Sequence, residues 1–129
     1  MIITSGKILR RLNESDNNDV AVHNGLLYTT IRGTRTDDVQ IYSTKTWQQT
    51  SVIDIPCTGR GHWHTLCVNE QCMFVSCFKK DRIYKMSLDG KIIATHCKRG
   101  NRIGGFKGPY TCMCDSDNLL VADQWNQHL

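Results

Sequence analysis

The sequence predicts an all-β protein, and three observations carry that reading. Short β-rich runs recur along the whole chain, Gly, Asn, Asp and Ser punctuate them, and no stretch places apolar residues at helical spacing between caps. In order, the runs are residues 20–22, 26–31, 39–42, 51–55, 66–68, 72–77, 82–86, 91–95, 111–114 and 119–122. The first two meet at His23-Asn24-Gly25, a hairpin turn signal. Leu88-Asp89-Gly90 closes 82–86 onto 91–95, and Asp115-Ser116-Asp117-Asn118 closes the last pair.

The runs repeat. Val20-Ala21-Val22 returns as Leu66-Cys67-Val68 and again as Cys112-Met113-Cys114, each 46 residues on. Each is followed by a polar turn and a second run, beginning at Leu26, Cys72 and Leu119. A third run repeats as Ile41-Tyr42 and Ile83-Tyr84, 42 residues apart, and Gly6-Lys7-Ile8-Leu9 matches Gly90-Lys91-Ile92-Ile93 at 84. A unit of 42–47 residues with four antiparallel strands is a blade of a β-propeller, which hides its faces only against neighbouring blades. The sequence therefore predicts a partial propeller. Residues 1–18 hold the last strand (6–12) of one blade, 19–63 and 64–109 are blades, and 110–129 starts a truncated one. That is roughly half a propeller, so the remaining blades, or self-association, are needed to close the ring.

Composition bounds the rest. The chain has 129 residues, 40% hydrophobic and 22% charged, enough for one domain with a core. No apolar run exceeds four residues, against the roughly 20 of a membrane helix, and the opening residues lack the pattern of a signal peptide. No membrane association is expected. The seven cysteines are an odd number, and most interrupt apolar segments. They read as small buried residues in a reducing, cytoplasmic setting. The formal charge of +4 is concentrated: between residues 76 and 107 stand nine basic residues opposed only by Asp81 and Asp89. They form either a solvated surface or a basic face for phosphate or an acidic partner.

At the junction before the last pair of runs stands Gly104-Gly105-Phe106-Lys107-Gly108-Pro109-Tyr110-Thr111-Cys112-Met113-Cys114-Asp115. It resembles the NHL-repeat signature, and Leu120-Val121-Ala122-Asp123-Gln124-Trp125-Asn126-Gln127-His128-Leu129 is similar to the Val-Ala-Asp-x-x-Asn-x-x-Leu core of that family. The resemblance is close in the last third and fair over 64–97. It departs over 1–60, where Arg32-Gly33-Thr34-Arg35-Thr36-Asp37-Asp38 lengthens a loop and Thr58-Gly59-Arg60-Gly61-His62-Trp63-His64 lacks the Pro. Such repeats occur in proteins resembling the tripartite-motif class, where a ring-type zinc domain precedes the propeller. The resemblance implies a non-catalytic recognition module for a protein partner, such as the substrate-reading part of a ubiquitin ligase. Ligase chemistry itself does not carry over to these residues.

RNA binding through the basic face is the alternative, and a hydrolase-like propeller holding calcium is the second. The candidate ligand contacts are Arg32, Arg35, Lys79, Lys80, Arg99 and Arg102, all in inter-strand or inter-blade loops. No catalytic residue, cofactor or metal site is expected. His62-x-His64 with His96 and nearby cysteines invites a zinc reading. However, Cys112 and Cys114 take the places of Val20 and Val22, and Cys67 that of Ala21, which reads as core substitution. His64 falls where the next unit has Tyr110 and is expected to pack between blades. Tyr84, in phase with Tyr42, is expected to be buried. Asp115, Asp117 and Asp123 read as turn and scaffold residues.

Overall fold

Alternating apolar and polar positions, broken by Asn-Gly and Asp-Gly turns, fold as an antiparallel array. The computed structural model describes the backbone of residues 2–4, 7–10, 17–31, 36–58, 64–77, 81–96, 109–114 and 118–123, and side chains within 19–31, 37–56, 64–77, 81–96 and 118–121. The strands are β1 (Ile2–Thr4), β2 (Lys7–Arg10), β3 (Asn17–His23), β4 (Leu26–Ile31), β5 (Thr36–Ser43) and β6 (Gln49–Thr58). They continue with β7 (His64–Val68), β8 (Cys72–Cys77), β9 (Arg82–Ser87), β10 (Ile92–His96), β11 (Pro109–Cys114) and β12 (Leu119–Asp123). The described residues are all-β. Strands β3-β4-β5-β6 form one four-stranded meander and β7-β8-β9-β10 a second, while β1-β2 and β11-β12 are two-stranded.

Each run expected from sequence lies in one of these strands, 91–95 being displaced by one residue. The start of the chain differs: where a single strand was expected over 6–12, β1 and β2 make a hairpin, with Thr4 opposite Lys7. Ile2-Ile3-Thr4 is too short a run to have stood out by period.

The sheets stack through their first strands, β3 lying against β7 and β7 against β11. Between the two four-stranded sheets sits the main core: Tyr28, Val39, Ile41, Ile53 and Ile55 from the first, and Leu66, Met73, Val75, Tyr84 and Met86 from the second. A smaller cluster of Cys67, Ile83 and Val121, with Phe74 and Leu119 against it, joins the second sheet to β12. Period-2 alternation puts Leu66 and Cys67 on opposite faces, so the second sheet is covered on both sides. Cys67 and Tyr84 are buried as expected.

The repeat extends to hydrogen bonds. Asp19 N–H donates to Thr30 Oγ1 (3.0 Å), and 46 residues on Thr65 N–H donates to Ser76 Oγ (3.2 Å). Burial does not repeat in the same way. Leu66 is 3% exposed, whereas Val20 at the same register position is 56% exposed, and Val22 is 63% exposed while Val68 packs on the core. Leu66 faces the first sheet; no described side chain faces Val20 in the same way. Equivalence with Val20 and Val22 therefore does not bury Cys112 and Cys114, whose side chains lie outside the described residues.

Cys67 and Cys72 are thiols outside any disulfide, but Cys77 is disulfide-bonded. This corrects the expectation that cysteines serve only as buried apolar residues. Since disulfides are rare in reducing compartments, the cysteines no longer carry a cytoplasmic assignment. No helix of the described residues is long and apolar enough to cross a membrane.

Candidate functional site

Polar groups gather at two places between the four-stranded sheets. One is a clasp near their loop end. His64, at the start of β7, is fully buried, and its Nδ1 lies 3.1 Å from the Ser76 carbonyl oxygen. A carbonyl only accepts, so Nδ1–H is the donor there. Its Nε2 lies 2.6 Å from Oδ2 of Asp37, itself buried at the start of β5. The hydroxyl of Thr30 donates to the His64 carbonyl (3.3 Å), and Leu66 N–H donates to Asp19 Oδ2 (2.9 Å). Farther out, the Tyr84 hydroxyl donates to the Pro56 carbonyl (3.0 Å). Apart from the His64–Ser76 bond, which lies within the second sheet, these bonds cross from one sheet to the other. The imidazole thus packs between sheets, as its position in the repeat led us to expect. A histidine with no exposed surface, held by a carbonyl and a carboxylate, has no route to a substrate, so this Asp-His pair is a fastener rather than a catalytic dyad.

Beside the clasp, Asp38 stands opposite Asp54 across β5 and β6. Burial, then the charges of Asp54 and Asp37, raise its carboxyl above the usual aspartate range, and its buried Oδ1 has no hydrogen-bond partner among the described residues. Among the described residues, no three His, Cys, Asp or Glu side chains gather as a metal site would require.

The second place is a half-open cleft of about 410 Å³ at the opposite end, where the turns lie. His23, Asn24, Leu26, Tyr28, Glu70 and Leu88 line it. Three turns position these residues. Asn24 and Gly25 both have positive φ (49° and 74°), the primed geometry that matches strand twist in a two-residue hairpin. Asn69 Oδ1 accepts from the N–H groups of Gln71 and Cys72 (both 2.9 Å), an Asx turn that presents Glu70 outward. In the third, Gly90 N–H donates to the Ser87 carbonyl (3.0 Å), the Ser87 hydroxyl bonds the Asp89 carboxylate, and that bond is the main cause of a lowered Asp89 carboxyl pKa.

Tyr28 is 2% exposed and packs its ring in the main core. Its hydroxyl bonds no described residue, and burial raises the phenol above its ordinary value, so it stays protonated at neutral pH. Neither the His23 ring nor the Glu70 carboxylate has a partner among the described residues. Leu26 and Leu88 supply apolar walls and pack on the core. Concave shape, apolar walls and a few unsatisfied polar groups are what a small binding site has.

All six contacts expected from sequence, Arg32, Arg35, Lys79, Lys80, Arg99 and Arg102, lie outside the described residues, as do Gly104, Gly105, Asp115, Asp117 and the side chain of Asp123. The cleft was not anticipated. His23-Asn24-Gly25 was legible as a turn, but nothing local says that Glu70 and Leu88 come to the same end of the neighbouring sheet. Neither a scan of protein-family models nor a search of curated proteins finds a match to this chain.

Proposed function

We propose that the chain is part of an NHL-like β-propeller, about half of the ring, and that it serves as a non-catalytic recognition module for a protein partner. The observation that carries the functional reading is the cleft at the turn end, where Tyr28, His23 and Glu70 offer polar groups with no partner among the described residues. A rigid stack of sheets holds those turns, so a partner meets a preformed surface with little ordering cost. For the fold, the supporting features are the 46-residue recurrence of strands and hydrogen bonds and the side-by-side packing of β3, β7 and β11. In a longer protein of the tripartite-motif kind, such a module would read the substrate of a ubiquitin ligase.

Selection from a random peptide library tests this. The expected result is a shared peptide consensus whose binding moves the amide NMR signals of Asn24, Glu70 and Leu88. Binding of oligouridylate that weakens steeply with salt, without any peptide consensus, would replace the reading with RNA recognition. A rise in melting temperature on adding calcium would point instead to the hydrolase class.

A further inference from the structure

We propose that the cleft between the turns of the two four-stranded sheets receives the cationic side chain, lysine or arginine, of a partner polypeptide. The inference rests on the recognition reading above and gives that site its ligand chemistry. Among the described residues lining the cleft, Glu70 is the acidic side chain and there is no Lys or Arg. The other charged residues on nearby turns, Lys45, Asp89 and Lys91, do not line it. The Glu70 carboxylate, the Tyr28 oxygen and the Asn24 amide oxygen can all accept hydrogen bonds. A group with several donors and a positive charge satisfies such a set; an anion does not. Leu26, Leu88 and the Tyr28 ring provide the surface along which a methylene stem lies.

Two features favour a side chain over a free amine. The cleft is half-open, so a stem can enter while its backbone stays outside. Asn24, which is exposed on the rim, and the exposed Gln71 beside Glu70 can bond that backbone. The Tyr28 hydroxyl, which bonds no described residue, belongs to a side chain that lines the cleft. A ligand donor entering the cleft can reach it there.

The test is NMR titration of the 15N-labelled chain with four capped tripeptides whose central residue is arginine, lysine, norleucine or glutamate, and with free butylguanidine. The arginine and lysine peptides are expected to move the signals of Asn24, Gly25, Glu70 and Leu88. Glu70→Gln, at an exposed turn, should weaken them about tenfold, and Tyr28→Phe about fivefold. Equal binding of the norleucine peptide, or no effect of Glu70→Gln, would overturn the cation. Butylguanidine binding as tightly as the arginine peptide would overturn the polypeptide source. If library peptides bind the cleft without a basic residue, this inference falls while the recognition reading stands. If no peptide of either experiment reaches the cleft, both fall.

Discussion

His64 shows how much a single side chain contributes when it joins two sheets. Its ring is held on one side by a carbonyl of its own sheet and on the other by Asp37 of the neighbouring one. Removing one member of a buried pair strands the other, a loss of about 3–5 kcal/mol. Asp37→Ala should therefore lower unfolding free energy by about 3 kcal/mol in urea titrations. Asp37→Asn should cost distinctly less, because an amide N–H can donate to Nε2 while Nδ1–H keeps the Ser76 carbonyl. Equal losses for the two substitutions would mean that charge, not the hydrogen bond, holds the clasp. His64 was legible as a packing residue because Tyr110 takes its place one unit later. Its partner was not, since Asp37 lies 27 residues away in a stretch that departs from the repeat. The same limit applies to Cys77: spacing says that it interrupts a strand, but not that it is disulfide-bonded.

At the scale of strands and turns, most of the architecture was written in the period. Residues 26–31 and 72–77 coincide with β4 and β8 because these runs begin directly after the turns at Asn24-Gly25 and Asn69. β1 was missed because three residues establish no alternation. The turns also differ in what they bear. Gly25 has φ of 74° and its missing Cβ would meet only the Thr44 hydroxyl at 3.9 Å, whereas Gly90 has φ of 99° and its Cβ would lie 3.1 Å from Ile53 Cγ2. Ile53 belongs to the main core, so the turn between β9 and β10 seats directly on the neighbouring sheet. Gly25→Ala should cost about 1 kcal/mol, from backbone strain alone. Gly90→Ala adds overpacking and should cost about 2–3 kcal/mol. Chemical denaturation of the two variants separates them. If Gly90→Ala is as mild as Gly25→Ala, the contact with Ile53 gives way freely and the turn does not anchor the sheet.

For the molecule as a whole, the difference between equivalent positions matters most. Leu66 and Val68 are covered by the preceding sheet, while Val20 and Val22, at matching positions, stand open to solvent together with Val52 of the same sheet. At the other end of the stack, Leu120 of β12 is exposed as well. Among the described residues, both outer faces of the stack carry exposed core-type side chains, and the two faces differ. Association through them is head-to-tail rather than symmetric. The 129-residue chain should accordingly sediment with a mass that rises with concentration. Val20→Thr with Val22→Thr keeps the β-branching that strands favour and removes apolar area. It should return the chain toward monomer without lowering the urea midpoint by more than about 1 kcal/mol equivalent. A wild-type chain that stays monomeric at all concentrations and unfolds cooperatively would mean that the Val20 face is an ordinary surface, and the partial-propeller reading would lose its physical basis.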